Sequence, residues 1–259
     1  MRAPLAAVLI LSLSADHALA GAWTLSEGDG QAIITSSYRI APISAVTSGQ
    51  PTEDEAALQV FLEYGLYDEW TLGLKTLGSL SPSTGETEIS AAGHVRYQVW
   101  QGADGDVASV QVGVGAPMER FLGPLRADDF AIEADIRALY GRGWQLDWAN
   151  AYVSSELGYL LRAGGSEDEL RADTTAGLEP WRGVLGLLTL SAAVPLGTTA
   201  DASLQVTPSI AYTLWPYVGE NDKKPLGPLY PYTIQLGAGI DVLDTDEGIR
   251  LSLSLWRPF

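Results

Sequence analysis

The stretch FAIEADIRALY, residues 130–140, alternates between apolar and mostly charged side chains. Successive side chains of a β-strand point to opposite faces, so Glu133, Asp135 and Arg137 fall on one face. A helix would scatter the apolar residues around its circumference, whereas a strand collects them on the other face. The stretch therefore predicts a β-strand with one charged and one apolar face. The apolar face comprises Phe130, Ile132, Ala134, Ile136, Ala138 and Tyr140.

The same alternation recurs from Gln31 to Leu255, and it predicts about twelve strands in an all-β chain. The strands are about 9–12 residues long, whereas strands of soluble sheets have about 5–6 residues. A strand that crosses a bilayer needs about 9–11 residues. These lengths favour membrane strands over a soluble β-sandwich.

Two further features favour a membrane barrel. Tyr and Trp recur near the strand ends, among them Trp144, Trp148 and Trp256, as in the aromatic girdles of outer-membrane proteins. The chain also stops at Phe259, directly after its last strand. We therefore expect a closed antiparallel up-and-down transmembrane β-barrel of about 12 strands. Because a sheet in lipid has no free edge, the first strand near Gln31 should pair with the last near Leu253.

The first 20 residues have the layout of a secretory signal peptide, with Arg2 before a short apolar run and Ala18-Leu19-Ala20 as the cleavage site. We expect a signal peptide at 1–20 and a mature outer-membrane β-barrel at 21–259. The expected location is the outer membrane of a Gram-negative bacterium, after signal-peptide cleavage.

The composition argues against several functional classes. A formal net charge of −17 disfavours nucleic-acid binding. The chain has no Cys, and His94 is the only His after residue 20, so the sequence predicts no zinc site and no cofactor. It contains no Gly-x-Ser-x-Gly nucleophile elbow, so we predict no catalytic residues and no enzyme.

Short turns and longer loops are predicted to alternate, as in outer-membrane barrels. The predicted turns are 66–69, 102–105, 141–143 and 179–182, and the predicted loops are 42–54, 81–86, 117–128 and 164–168. Segment 117–128 is a candidate for an inward-folded loop, although an ordinary surface loop is the preferred interpretation. Segment 215–231 contains four Pro and falls on the side of the short turns. Either the strand count is shifted there or the segment is a periplasmic excursion.

The polar faces should point into the barrel lumen. Charges there either set selectivity for a solute or pair with one another to fill the interior, and pairing is the preferred interpretation. The lumen-lining candidates are Arg39, Glu63, Lys75, His94, Arg96, Glu133, Asp135, Arg137, Glu156, Arg162, Arg171, Asp173 and Arg250.

Acidic clusters fall in three predicted loops, at 53–55, at 167–169 and at Asp244, Asp246 and Glu247. Such carboxylates either hold divalent cations at the lipopolysaccharide surface or are simply solvated, and solvation is the default. The expected partners are outer-membrane lipid, lipopolysaccharide and the barrel-assembly machinery, which would recognise Phe259.

Three segments resemble small outer-membrane channel families. They are residues 21–25 with Gly28 and Gly30, the hairpin 63–69, and the stretch from Gly158 to Gly177. They are similar to XagA-like proteins and to the outer-membrane transporters of phenol-degradation operons. The resemblance implies an outer-membrane pore or an export-associated barrel, and it supplies no catalytic residues.

The leading hypothesis is a narrow pore for passive or export-linked transport of a small or polymeric solute, including a polysaccharide. The alternative is a structural or adhesive barrel with an occluded lumen that acts through its outer loops. A barrel hydrolase or acyltransferase that uses His94 is a third and weaker hypothesis.

Overall fold

The computed structural model describes residues 21–40, 55–81, 87–117, 132–163, 167–197, 201–214, 231–243 and 248–259. Twelve strands within these ranges form one closed antiparallel barrel. Their bounds are β1 Gly30–Ile40, β2 Glu55–Tyr67, β3 Trp70–Leu80, β4 Thr87–Gln101, β5 Val107–Pro117, β6 Glu133–Gln145, β7 Asn150–Arg162, β8 Glu169–Trp181, β9 Val184–Pro195, β10 Ser203–Leu214, β11 Tyr232–Asp241 and β12 Ile249–Pro258.

Each strand pairs with its sequence neighbours, and β1 pairs with β12 to close the barrel. In that last pairing Ser36 lies opposite Leu253, and Gln31 lies opposite Pro258. The predicted fold class and the predicted closure are both confirmed. Closure satisfies the backbone donors and acceptors that an open sheet would leave at its edges.

The outer face of the barrel is apolar and the inner face is polar. On β5, Val112 and Val114 point outward and are each 58% exposed. Gln111, which directly precedes Val112 and points inward, is only 7% exposed. This is the reverse of a soluble domain, in which large aliphatic side chains are buried. A continuous apolar exterior on a closed barrel is the arrangement that lipid requires. Among the described residues, no helix is long and apolar enough to cross a membrane.

The two ends of the barrel differ in their connections. At the turn end, residues 68–69, 102–106, 146–149 and 182–183 join successive strands. The two-residue turn 182–183 uses Gly183 with φ 83°, a left-handed conformation that favours glycine. The beginning of β1 and the end of β12 also lie at the turn end, and the opposite, loop end carries the other connections. With twelve strands, segment 215–231 joins β10 to β11 at the turn end, so the strand count is not shifted there.

One predicted turn is wrong. Residues 141–143 belong to β6, where Gly141 pairs with Ser154 and Gly143 with Tyr152, and the turn follows at 146–149. The glycines suggested a turn, but the absence of a side chain at Gly141 makes room for the Trp23 ring inside the barrel. Residues 130 and 131 of the stretch that predicted this strand lie outside the described residues.

Trp256 is not part of an outer aromatic girdle, contrary to expectation. It alternates in step with Ser252 and Ser254, so its side chain points inward. There it packs against the buried cluster of Tyr152, Leu187 and Ala211. The position of Trp256 near a strand end does not show whether its ring lies inside or outside the barrel. The alternation along β12 shows that it lies inside.

Candidate functional site: the barrel interior

A segment that precedes β1 lies inside the turn end of the barrel. We call residues 21–27 the N-terminal segment. Its Ala22 is fully buried, its backbone N–H donates to Ser154 Oγ over 3.3 Å, and its carbonyl oxygen accepts a hydrogen bond from the Ser109 hydroxyl. Ser154 belongs to β7 and Ser109 to β5, so the segment begins at this part of the barrel wall.

The N-terminal segment then reaches another part of the wall before the chain enters β1. The Leu25 N–H donates to Thr71 Oγ1 of β3 at 2.8 Å, and the Thr24 hydroxyl donates to the Asp68 carbonyl oxygen at 2.9 Å. The chain then turns at Gly28, which has φ 86°. The segment therefore spans the interior from β7 and β5 to β3 and narrows the turn end.

Trp23 fixes the middle of the N-terminal segment. Its ring meets the Tyr152 ring edge-on, with centroids 6.3 Å apart and an interplanar angle of 85°. It packs beside Leu187 and Ala211, which are buried with Tyr152. A Cβ atom added to Gly141 would lie 2.5 Å from the Trp23 ring, so glycine is what allows the ring to sit there. The turn end thus has a small apolar core inside the barrel.

A buried charge cluster lies against this segment. We call Glu63, His94, Arg96, Gln31 and Gln111 the Glu63 cluster. Glu63 is 2% exposed, and its carboxylate accepts from Arg96 Nη2 at 2.8 Å and from Gln31 Nε2 at 2.5 Å. His94 Nε2 lies 3.3 Å from Glu63 Oε1, so the carboxylate is held from three sides.

Arg96 connects the Glu63 cluster to the N-terminal segment. Its Nη1 donates to the Trp23 carbonyl oxygen at 3.0 Å, and its Nε donates to Gln111 Oε1 at 3.2 Å. Because Glu63 neutralises this guanidinium group, Arg96 binds the segment without leaving an uncompensated buried charge.

A second charge group runs across β6, β7 and β8. Arg137 Nε donates to Asp135 Oδ2 at 2.5 Å, and its Nη1 donates to Glu156 Oε2 at 3.1 Å. The same Nη1 lies 3.9 Å from Asp173 Oδ2. One guanidinium group is therefore shared by three carboxylates.

A third group lies nearer the loop end on the same three strands. Arg162 contacts Glu133 at 3.0 Å and Glu169 at 2.9 Å, and Glu169 also accepts a hydrogen bond from Arg171. Together, the second and third groups contain five carboxylates and three guanidinium groups. The inner wall of β6–β8 is therefore net negative.

The wall formed by β12, β1, β2 and β3 is different. Arg39 Nη2 and Arg250 Nη2 both lie 3.2 Å from the same oxygen, Glu55 Oε2. Lys75 on β3 is exposed to the lumen and, within the part of the chain that the structure describes, has no ion-pair partner within 4.0 Å. On the described parts of these four strands the inward cations Arg39, Lys75 and Arg250 accompany two inward carboxylates, Glu55 and Glu63, so we call this the positive wall.

A cavity of about 330 Å³ opens against the positive wall. Its charged lining residues are Glu55, Lys75 and Arg250, and Gln59, Gln205 and Ser252 contribute further polar atoms. We call this space the upper cavity because it lies on the loop side of the Glu63 cluster. In this part of the described interior a solute could contact the fixed charges of Glu55, Lys75 and Arg250.

All thirteen predicted lumen candidates lie on the inward-facing side of their strands. Twelve of them belong to the ion pairs given above, and Lys75 does not. The structure separates them into the Glu63 cluster, the β6–β8 groups and the positive wall. Alternation along each strand predicted the inward face, but it could not predict how the charges are divided between different parts of the wall.

Sequence reasoning missed the N-terminal segment. It offered segment 117–128 as a candidate for an inward-folded loop and preferred an ordinary surface loop, and residues 118–131 lie outside the described residues. The available signal was Trp23 directly before a first strand, combined with inward-facing glycines such as Gly141. Neither the tryptophan nor the glycine shows which residue it contacts until the barrel is closed.

The acidic cluster 167–169 lies within the described residues, and its Asp168 is engaged within the chain. Asp168 accepts a hydrogen bond from the Tyr159 hydroxyl at 2.6 Å and another from the Arg162 N–H at 3.0 Å. These hydrogen bonds, the one from Tyr159 first, hold the pKa of the Asp168 carboxyl below its usual value. Residues 53–54 and 244–247 lie outside the described residues. In the ranges that the structure covers, no group of three or more potential ligands is arranged to hold a metal ion.

Comparison with solved structures identifies the class of fold. No family model and no curated protein sequence matches the chain. Among solved structures, it is similar to the COG4313 outer membrane channel from Pseudomonas putida F1, at 14% identity and a TM-score of 0.53, over 92% of this chain and 98% of that one. It is also similar to the KdgM porin, at 6% identity and a TM-score of 0.51, over 88% of this chain and 99% of the porin.

By their descriptions one of these structures is an outer membrane channel and the other a porin, and the likeness extends over nearly their whole length. The chain therefore has the fold of an outer-membrane β-barrel. Because fold alone does not specify function, the role of this barrel has to be argued from its interior.

Proposed function

We propose that the protein is an outer-membrane channel whose lumen is narrowed at its turn end by the N-terminal segment. The observation that carries this proposal is the charged interior of a closed twelve-stranded barrel, with an open cavity of about 330 Å³ against its positive wall. Rings and walls of fixed charge are the usual means by which a pore selects solutes. Barrels between the 8-stranded and 16-stranded sizes leave little free interior, which fits a narrow passage.

In this proposal the turn end faces the periplasm and the loop end faces the outside, after cleavage of residues 1–20. The apolar exterior contacts outer-membrane lipid, and the connections at the loop end contact lipopolysaccharide. The resemblance to XagA-like proteins and to transporters of phenol-degradation operons suggests a small or polymeric solute. The lumen charges favour a polar one.

Phe259 is the proposed signal for the barrel-assembly machinery. Its backbone N–H and carbonyl oxygen each form a 2.8 Å hydrogen bond with Gly30, at the seam between β12 and β1. The last residue is therefore part of the closure itself. We expect deletion of Phe259 to reduce the yield of heat-modifiable barrel in cells, with normal export.

Single-channel recording in planar bilayers tests the channel proposal. The mature protein, refolded in detergent and verified by a heat-dependent gel shift, should give discrete conductance steps. A variant that lacks residues 21–27 should give larger steps. Inserted, folded protein without conductance in either form would contradict the proposal.

The second candidate function is a structural or adhesive barrel with a closed lumen. Two observations favour it: the N-terminal segment crosses the interior, and most inward charges are paired. In this case the full-length protein would not conduct, and the variant without residues 21–27 would. That result distinguishes the two candidates.

A barrel enzyme is the weakest candidate. His94 contacts Glu63 and stacks against Phe61, with ring centroids 5.8 Å apart. These contacts make His94 part of a packed structural cluster beneath the upper cavity. A lipid-modifying activity that is lost in the variant His94→Ala while the barrel stays folded would overturn this interpretation.

A further inference from the structure

We propose that the upper cavity binds an uncharged polyhydroxylated solute, such as a neutral sugar, and that the amides of Gln59 and Gln205 are its main hydrogen-bonding groups. This inference rests on the proposed function and deepens it, because it names the class of solute that the lumen accepts. Three features of the cavity support it: the way the strands build the space, the neutral groups that lack partners there, and the pairing of its charged groups.

The cavity exists because several inward side chains at its level are small. Strand pairing places Ser37 of β1 between Ala57 of β2 and Ser252 of β12. Gly239 of β11 also borders the cavity, and a Cβ atom added there would lie only 2.7 Å from Thr207 Oγ1. Small residues on four neighbouring strands thus leave a space of about 330 Å³, near the roughly 300 Å³ lower end of small-molecule sites.

Five neutral polar side chains of the cavity form no hydrogen bond to any other residue that the structure describes. They are Ser37, Gln59, Gln205, Thr207 and Ser252. Hydroxyls next to the cavity row are engaged instead, since Thr35 Oγ1 and Ser254 Oγ lie 2.8 Å apart. Each amide offers two donors and an acceptor oxygen, and each hydroxyl offers one donor and an acceptor. The cavity therefore presents free groups of both kinds, as the hydroxyl groups of a sugar require.

The charged groups of the cavity, in contrast, already have opposite charges near them. Glu55 Oε2 lies 3.2 Å from both Arg39 Nη2 and Arg250 Nη2. Lys75 lies within electrostatic range of two carboxylates and two guanidinium groups of β6–β8. They belong to Asp135, Asp173, Arg137 and Arg171. An ionic solute would meet attraction and repulsion within one space and would lose part of its hydration on entering, whereas a neutral solute avoids that cost.

The two glutamines are placed to hold one solute from two sides. Gln59 belongs to β2 and Gln205 to β10, and β1, β12 and β11 lie between these strands around the barrel. Their amides end the longest neutral polar side chains of the cavity lining. Because three strands separate them, the two amides contact different hydroxyl groups of a bound sugar, and the loss of either one should weaken binding.

The experiment measures binding of maltose to the folded full barrel in detergent by calorimetry. Digalacturonate and the disaccharide of glucosamine serve as the matched anionic and cationic probes. Maltose should bind, and each charged disaccharide should bind at least fivefold more weakly. The variants Gln59→Met and Gln205→Met keep a side chain of similar length without the amide, so each should lose at least fivefold in maltose affinity.

Two further variants locate the site. Gln145→Met is the matched control, because Gln145 is exposed at the turn end of β6, away from the cavity, and its maltose affinity should stay within twofold of the unmodified protein. Ser37→Leu fills the cavity without changing either glutamine, and it should also lose at least fivefold. A heat-dependent gel shift verifies that each variant is folded.

Four results would overturn the inference: no binding of maltose, a charged disaccharide that binds as tightly as maltose, unchanged maltose affinity in a glutamine variant or in Ser37→Leu, or a loss in Gln145→Met as large as in Gln59→Met. Bilayer recordings separate this inference from the channel proposal. Conductance without maltose binding would end the inference and leave the channel. Maltose binding without conductance, with or without residues 21–27, would leave the site and end the channel proposal.

Discussion

The Trp23 ring packs edge-on against the Tyr152 ring, with centroids 6.3 Å apart. This contact attaches a segment that precedes the first strand to the seventh strand of the barrel. Because it lies inside the turn end, it links the packing of the interior to the width of the lumen.

Removing the Trp23 ring should widen the turn end. We expect the variant Trp23→Ala to give larger and noisier conductance steps, because the N-terminal segment loses its contacts with Tyr152 and Leu187. The matched control is Trp148→Ala, since Trp148 is 64% exposed in the turn 146–149. Planar-bilayer recording measures both. Equal conductance in the two variants would show that Trp23 does not hold the segment in place.

Two glycines of β6 should respond differently to a methyl group. In Gly141→Ala the new Cβ meets the Trp23 ring at 2.5 Å, so we expect a loss of about 1–3 kcal/mol from overpacking. In Gly143→Ala the new Cβ comes no closer than 4.0 Å to the Ala151 backbone oxygen, so we expect no loss and a gain of up to about 1 kcal/mol from reduced chain entropy.

The urea midpoint of the folded gel band measures the effect of both glycine substitutions. We expect Gly141→Ala to increase conductance as well, as predicted for Trp23→Ala. A Gly141→Ala barrel as stable as Gly143→Ala, with unchanged conductance, would mean that the Trp23 ring is not confined there.

The Glu63 cluster should be sensitive to the loss of one partner. Glu63→Gln leaves Arg96, which is 4% exposed, without its carboxylate. Breaking a buried pair in this way costs about 3–5 kcal/mol, because it leaves a charge uncompensated. We expect a lower urea midpoint for folded barrel.

The double variant Glu63→Gln with Arg96→Gln supplies the control for the cluster. It removes both charges, so it should recover part of the stability lost in Glu63→Gln. It also removes the Arg96 donor to the Trp23 carbonyl oxygen, so we expect its conductance to exceed that of the unmodified protein. A double variant that is less stable than Glu63→Gln would argue against charge compensation as the role of Glu63.

Asp168 should confer a pH dependence on the β7–β8 connection. Hydrogen bonds from the Tyr159 hydroxyl and from the Arg162 N–H lower the pKa of its carboxyl. The folded pKa is below the unfolded one, so the stabilisation is fully present above the unfolded pKa, near 3.8, and is lost as the pH falls through the folded pKa. Tyr159→Phe removes the larger cause and should raise the pKa of Asp168 toward its ordinary value.

Carboxyl carbon NMR on the folded barrel in detergent would follow the titration of Asp168 directly. Tyr140→Phe is the matched control, because Tyr140, like Tyr159, lies on the outer face of the barrel. It should leave the Asp168 titration unchanged. A Tyr159→Phe barrel with the same Asp168 pKa as the unmodified protein would contradict the assignment.

The sequence by itself determined the strand alternation, the inward face of each charged candidate and the closure of β1 on β12. These properties depend on local geometry, since side chains of a strand alternate with a period of two and a sheet in lipid needs every backbone group paired. The sequence also predicted about twelve strands, but only the structure, with its twelve strands, decided that segment 215–231 connects β10 to β11 at the turn end.

Only the tertiary structure decided that the N-terminal segment enters the barrel, that residues 141–143 continue a strand, and that Trp256 packs inside. It also decided that Lys75 lacks an ion-pair partner in the described chain while the other inward charges are paired. The hydrogen bond between Ala22 and Ser154 joins residues 132 positions apart. Such contacts depend on which strands face each other across the closed barrel, and no local pattern of residues encodes that distance.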